Sequence, residues 1–288
     1  MQANLNRYSK IGIIACLLWS SLVFNSCTKV IDFDVSDANI RLVIDGSVTS
    51  EFKRHEVKIS LTGSYFSGVR TPSVSGATVQ VSDGTLTWDY IEKIDQPGLY
   101  QSPDSFFAEV GKTYTLRVLV DGKQYEASET MQEGARLDSF NIQQFFKPIP
   151  FENAIDSSYT LSVWGQEVAG ERNYYMWKYK INGTFGRTDS LQNVYFLDDK
   201  GIDGAYIPGY PIYSIDSKEI QSGDTLSLYG YTISADYYQF LRSILLETFW
   251  RGGGPWDGPP ANIPSNFTNG ALGYFWVAPV AIKTGIVE

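Results

Sequence analysis

Asp-Gly pairs placed between runs of alternating apolar residues constrain this chain most strongly. They occur at residues 45–46, 83–84 and 121–122, and an Asn-Gly pair at 182–183 has the same character. Asp, Asn and Gly tolerate the positive φ that tight hairpin turns require. The sequence therefore predicts a hairpin at each of the four positions, and a fold built from antiparallel strands.

The third Asp-Gly pair gives the clearest hairpin, TYTLRVLVDGKQYEAS. Tyr114, Leu116, Val118 and Val120 fall on one side of its first strand. Because successive side chains of a strand point to opposite faces, one face is expected to pack while the other is mostly solvated. Several such strands at short spacing predict an immunoglobulin-like β-sandwich over residues 39–132.

The second half of the chain, residues 133–288, is predicted to form a β-rich C-terminal domain. Its strand candidates are YTLSVWGQE, YYMWKYKI and DTLSLYGYTIS. Tyr175, Trp177, Tyr179 and Ile181 share one face of the middle candidate, a pattern typical of core packing.

One helix is predicted near residues 235–250, in the segment SADYYQFLRSILLETFW. Ser234 is a suitable N-cap, the apolar residues recur at helical spacing, and the glycines of RGGG provide a stop. The fold class that follows is mainly β: an N-terminal immunoglobulin-like β-sandwich followed by a second β-rich unit with one covering helix.

The N-terminus has the pattern of an export signal. Arg7 and Lys10 precede an apolar run at 11–24, which is shorter than the roughly 20 residues that span a bilayer. Cleavage after residue 26 would leave Cys27 as the first mature residue. The sequence thus predicts a lipoprotein signal peptide at 1–26, lipidation of Cys27 and a tether over residues 27–38.

Cys16 is the rival acceptor for the lipid, since Ile13-Ile14-Ala15 fits the residues expected before such a cysteine. Cleavage there would leave LLWSSLVF, an apolar segment, in the mature chain. Cys27 is therefore the preferred site. Two or more acyl chains on one cysteine hold a protein stably at a membrane.

The net charge of the chain limits which partners it can bind, and its cysteine content shows what can stabilise its fold. The formal net charge is −9 at pH 7, which argues against nucleic acid as a partner because phosphate backbones would be repelled. No cysteine follows Cys27, so a packed core rather than disulfides must stabilise the fold.

Several strings in order, VIDGSVTSE, GATVQVSDG, GERNYYMWKYKING and GPPANIPSNFTNGALGYF, follow the lipoprotein start. Over residues 27–277 the chain resembles the Bacteroidota envelope lipoproteins catalogued as domain of unknown function 4249. The resemblance implies a cell-envelope lipoprotein with an immunoglobulin-like N-terminal part. It also implies a TonB-dependent outer-membrane transporter as partner, because genes for such receptors often neighbour those of the family. It carries over no catalytic residue.

Catalytic and metal sites find little support in the sequence. His55 is the single histidine, no GxSxG elbow accompanies it, and it is expected to be a solvated residue at a strand start. LDDKGIDGAY places Asp198, Asp199 and Asp203 near Gly204, but the spacing departs from an EF-hand, so a polar hairpin tip is expected. No cofactor and no metal are predicted.

Trp250 and Trp256 are the candidate contacts for a ligand or partner. They lie in FWRGGGPWDGPP, a glycine- and proline-rich segment, and surface loops often carry binding residues. The competing interpretation is that Trp256 closes the end of a sheet.

The function predicted from the sequence is that of a non-catalytic binding module, anchored at the outer membrane and accessory to a TonB-dependent transporter. A glycan- or peptide-binding surface adhesion module is the first alternative. A carboxylate-dependent hydrolase is the second, although the acidic residues give no basis for choosing a pair. The acids after Cys27 do not distinguish the surface from the periplasmic face of the membrane.

Overall fold

The structure, a computed structural model, describes residues 40–63, 71–148, 155–170, 172–248 and 263–288. The predicted signal peptide and tether, with Cys27, and the candidate contacts Trp250 and Trp256 lie outside these residues. Ile40–Glu288 form one compact unit. Within the described ranges, no helix combines the length and apolarity needed to cross a membrane.

Strands dominate the described residues, which contain one α-helix, α1 (Ala235–Thr248), and three short 3-10 helices (Gly186–Asp189, Leu191–Asn193, Thr268–Gly270). The strands are β1 (Leu42–Thr49), β2 (Glu56–Leu61), β3 (Thr78–Ser82), β4 (Thr87–Glu92), β5 (Leu99–Gln101), β6 (Thr113–Val120), β7 (Lys123–Thr130), β8 (Arg136–Pro148), β9 (Ile155–Gln166), β10 (Tyr174–Ile181), β11 (Tyr195–Asp198), β12 (Tyr206–Asp216), β13 (Thr225–Ile233), β14 (Leu272–Ala278) and β15 (Val280–Ile286).

The first sheet has eight strands in the order β14-β1-β2-β5-β4-β3-β6-β7. β14 runs parallel to β1, whereas the other neighbours are antiparallel. The two edge strands approach each other, and the segment before β14 bridges to β7: the Glu126 N–H donates to Thr268 Oγ1 at 2.9 Å, and Asn269 Nδ2 donates to the Gln124 carbonyl at 2.7 Å. The sheet therefore curls around its own core.

Two of the four predicted hairpins form as expected. Asp121 and Gly122 take positive φ values of 50° and 76° and join β6 to β7 in a two-residue turn. The pair at 83–84 lies in the loop between β3 and β4, where Asp83 Oδ1 accepts the backbone N–H groups of Thr85 and Leu86.

The hairpin predicted at Asp45-Gly46 is wrong, because both residues lie inside β1. A Cβ atom at Gly46 would come within 3.0 Å of a Leu116 methyl and 3.1 Å of a Val57 methyl. Glycine is needed here for close packing in the core of the first sheet, and not for a turn.

The turn predicted at Asn182-Gly183 forms, with φ values of 49° and 85°, but it does not begin a hairpin. Beyond it only Thr184 pairs back, with Ile181, before a 3-10 helix starts. The partners of β10 are instead β11 and β13, which are more distant in sequence.

Two further sheets stack against each other. One has the order β11-β10-β13-β15 and the other β12-β9-β8. Their shared core joins Leu161 and Val163 of β9 to Tyr179 of β10 and Leu226 and Leu228 of β13. The opposite face of the four-stranded sheet packs on α1 and β14, so the helix lies between the first sheet and the four-stranded sheet.

The predicted covering helix is confirmed. The Ser234 hydroxyl accepts the Tyr237 N–H at 3.1 Å and caps its first turn. Tyr237 then stacks on Trp276 of β14, with ring centroids 5.1 Å apart and planes 11° from parallel.

The mainly β prediction is confirmed as well, while the immunoglobulin-like description stays a prediction. The division of the chain at residue 132 also stays a prediction. The pairing of β14 with β1 shows that the C-terminal segment supplies one strand to the N-terminal sheet.

Candidate functional site

A cleft of about 370 Å³ opens between the three-stranded and four-stranded sheets. This volume lies in the range of small-molecule sites in proteins. Its walls come from β9 and β12 on one side and from β10 and β13 on the other. Most of the lining is apolar or aromatic, including Val163, Trp164, Tyr175, Trp177, Ile207 and Tyr210.

Two half-buried tryptophans give this aromatic cleft its shape. Trp177 lies directly opposite Gly230 of β13, and any Cβ atom at residue 230 would collide with the indole. Trp164 covers Gly209 in the same way, since a Cβ there would lie 2.7 Å from the indole ring. Glycine on the neighbouring strand thus leaves room for each indole against the backbone.

Glu167 is the buried carboxylate of the cleft. Its Oε1 accepts the Tyr175 hydroxyl at 2.7 Å and Asn173 Nδ2 at 3.2 Å, and its Oε2 accepts the Gly204 N–H. Burial raises the pKa of Tyr175, and the hydrogen bond to the Glu167 carboxylate raises it further. Tyr175 is therefore a neutral phenol that donates to the acid.

Glu167 belongs to a group of three acids, the carboxylate cluster, with Asp199 and Asp203. One oxygen of each lies within 4.8 Å of the others. Asp199 accepts the Asn173 N–H at 2.9 Å and Asp203 accepts the Gly170 N–H at 2.8 Å. These bonds tie the chain after β9 to the segment between β11 and β12.

Such oxygens could hold a hard cation, but three fall short of the six to eight that calcium takes. The predicted polar hairpin tip is wrong at this segment, because β11 pairs with β10 while β12 pairs with β9. Residues 199–205 cross from one sheet to the other. Asp198, the third acid of the sequence motif, instead pairs with Arg172 at 3.0 Å.

The structure thus brings Glu167 and Asp199 together, a carboxylate pair that could not be chosen from the sequence. A carboxylate pair is what glycoside hydrolysis requires. Of the three clustered acids, however, only Glu167 lines the cleft. Its oxygens already accept three hydrogen bonds, one from Tyr175 of β10 and two from the loops at Asn173 and Gly204, so the visible role of the acids is to hold those loops against the sheet.

His55 is not the solvated residue that the sequence predicts. Its side chain is buried, Nε2 donates to the Phe106 carbonyl at 3.0 Å, and the ring packs edge-on against Phe106. Burial lowers the pKa of His55 to about 4, so the imidazole is neutral at pH 7. His55 lies in the eight-stranded sheet region and does not line the cleft.

Fold and site together define a mainly β protein in which two stacked sheets enclose an aromatic-lined cleft. The family model for the domain of unknown function 4249 (DUF4249) matches residues 28–284. The chain belongs to this family, which confirms the resemblance to the domain of unknown function 4249. The Bacteroidota origin and the envelope location stay predictions. No curated protein matches the chain.

Proposed function

We propose that this chain is a cell-envelope lipoprotein that acts as a non-catalytic binding module. The observation that supports this best is the aromatic cleft, with its volume of about 370 Å³. Small-molecule sites are concave, mostly apolar and equipped with few polar groups. The cleft has these properties, and Trp164 and Trp177 offer it two large apolar surfaces.

The proposal keeps the cellular setting expected from the sequence. Lipidation of Cys27 holds the protein at the outer membrane, and a TonB-dependent transporter is the partner that the family resemblance implies. In this arrangement the lipoprotein captures a ligand in the cleft and passes it to, or receives it from, the transporter.

Native mass spectrometry tests the cleft. Protein purified gently from cells that produce it naturally should carry an adduct of small-molecule mass, and Trp177→Ala should lose it. Phe107→Ala, at an exposed position of the first sheet region, is the control and should keep the adduct. A wild-type protein without any adduct, even after incubation with extract of the same cells, would refute the cleft as the working site.

Membrane attachment and partnership need a separate experiment. Wild-type protein should fractionate with membranes and Cys27→Ala should not. Extraction in mild detergent followed by pull-down should recover a TonB-dependent transporter with the wild type. A membrane-bound Cys27→Ala variant would remove the lipoprotein part of the proposal, and repeated failure to recover a transporter would remove the partner.

The glycan- or peptide-binding adhesion module is the alternative that the cleft also accommodates, because an indole face stacks on sugar rings and on apolar side chains. A glycan array and a peptide array separate these ligands. The carboxylate-dependent hydrolase rests on Glu167 and Asp199, and hydrolysis of a captured glycan that disappears in Glu167→Gln would establish it.

A further inference from the structure

We propose that the aromatic cleft selects a small organic cation, an ammonium group carried on a flat apolar body. This inference rests on the proposed binding function and adds the chemical class of the ligand. Three observations carry it: the two tryptophans that line the cleft, the carboxylate cluster whose Glu167 lies in the cleft wall, and the exposure of the two basic side chains of the lining.

The aromatic residues supply the first attraction. Trp164, Trp177 and Tyr210 line the cleft, and the two indoles are half-buried. The face of an aromatic ring is electron-rich and attracts a cation placed over it, most strongly for tryptophan and in a site that excludes water. The same faces provide the contact area for a flat apolar body.

The carboxylate cluster supplies the second attraction. Glu167 lines the cleft, and oxygens of Asp199 and Asp203 lie within 4.8 Å of its own. Among the described residues, no lysine or arginine forms an ion pair with any of the three. Their charge is therefore not cancelled locally, and partly buried charge is screened by salt less than surface charge is.

The basic side chains that line the cleft do not cancel its negative charge. Arg136 is largely exposed and pairs with Asp138 at 2.7 Å, and Lys200 is exposed as well. Exposed ion pairs contribute little in solvent. An anionic ligand would find only these two solvated groups among the basic side chains of the lining and would be repelled by Glu167, so a cation is the better match.

Calorimetric titration of the full chain with three probes of matched size tests the inference. The probes are 2-phenylethylammonium, the neutral 2-phenylethanol and the anionic phenylacetate. We expect the ammonium to bind about tenfold more tightly than the alcohol, and phenylacetate to bind most weakly. The preference for the ammonium should shrink only slightly as salt is added, because two of the three carboxylates are buried.

Two variants separate the causes. Trp177→Leu keeps an apolar wall without the electron-rich face, and should lower the affinity for the ammonium about tenfold while affecting the alcohol less. Asp203→Asn removes one charge at an exposed position and keeps the acceptor oxygen for the Gly170 N–H. This substitution should weaken the binding of the ammonium probe alone, by a few fold. Asp95→Asn, an exposed acid of the first sheet region, is the matched control and should change nothing.

Equal binding of ammonium and alcohol, or tightest binding of phenylacetate, would overturn the cation inference while leaving a binding cleft in place. A preference for the ammonium that survives both Trp177→Leu and Asp203→Asn would also overturn it, because the attraction would come from elsewhere. Binding of none of the probes overturns it as well, and the adduct seen by native mass spectrometry then decides the proposed function separately.

Discussion

Replacing Glu129 with glutamine should stabilise the fold at neutral and alkaline pH. Glu129 lies on β7, and both of its carboxylate oxygens are buried without a hydrogen-bond partner among the described residues. Burial raises the pKa of Glu129 to about 8. The nearby Ser234 hydroxyl, although outside hydrogen-bond geometry, lowers the pKa of Glu129. The Asp236 carboxylate in the first turn of α1 raises this pKa further.

The sign and size of the effect follow from the two pKa values. In the unfolded chain the carboxyl ionises near its ordinary value of 4.5, whereas the folded protein keeps the proton up to about pH 8. The folded state therefore binds more protons between these values, and the free energy of unfolding falls as pH rises. At about 1.4 kcal/mol per pH unit, the loss reaches roughly 3 kcal/mol at pH 7 and roughly 5 kcal/mol above pH 8.

Glutamine has no proton to release, so Glu129→Gln should escape this loss. Its buried amide still lacks partners, which costs on the order of 1 kcal/mol or more. The net gain over the wild type should be roughly 2 kcal/mol near neutral pH and should grow as pH rises. Near pH 4.5, the ordinary pKa of the carboxyl, the unfolding free energies of the wild type and Glu129→Gln should differ least.

Urea unfolding followed by tryptophan fluorescence, at a series of pH values across this window, measures the difference. Glu126→Gln on the same strand is the control, because Glu126 pairs with Arg117 at 2.8 Å on the solvated side. This control should be no more stable than the wild type at neutral or alkaline pH. A flat difference for Glu129→Gln would show that the carboxylate is hydrated or paired, and would refute the reasoning.

Three further predictions concern other parts of the molecule. The wild type should lose roughly 3 kcal/mol of unfolding free energy as pH falls from 6.5 to about 4, because the unfolded chain binds a proton there that the buried His55 imidazole does not. His55→Gln keeps a donor for the Phe106 carbonyl and should remove this loss. Unfolding curves across that pH range measure the difference. Asp83→Ala removes the acceptor for two backbone N–H groups in the β3–β4 loop and should cost about 1 to 2 kcal/mol in thermal unfolding, whereas Asp83→Asn should retain most of the stability. Gly230→Ala should push the Trp177 indole off β13, shift the tryptophan emission and abolish ligand capture in the cleft, while Ser227→Ala on the same strand should do neither.

Local signals predicted the elements whose partners are close in sequence. The hairpin at Asp121-Gly122 and the cap at Ser234 are decided within a few residues, and both are found. The same Asp-Gly dipeptide misled at Asp45-Gly46, because packing against distant residues can require a glycine as strongly as a turn does. The parallel pairing of β1 with β14 has no local signature, since its partners lie more than two hundred residues apart.

The cleft was missed for a related reason. Alternation correctly placed Tyr175, Trp177 and Tyr179 on one face of β10, and Tyr179 does lie in the core. Periodicity says which face packs, but not how far the opposing sheet extends over it. Tyr175 and Trp177 reach beyond that cover and line the cleft. The signal that could have found the site is the register of Trp177 with Gly230, which requires the pairing of β10 with β13.

Gly230 also bears on whether the cleft is a functional site or a packing defect. It lies inside β13 without the left-handed backbone that would itself demand glycine, and the three atoms nearest to a Cβ at this position all belong to the indole of Trp177. Glycine in a strand interior costs roughly 0.5 to 1 kcal/mol relative to alanine. A chain selected for stability alone would gain by filling this face, since burying a side chain in place of the cleft lowers the free energy. The fold instead keeps a half-buried indole, a glycine beneath it and three clustered carboxylates beside the same cleft. Local departures from the rules of packing and charge pairing concentrate at functional sites. Two such departures meet at this one cavity, which supports the binding role proposed for the cleft over imperfect packing.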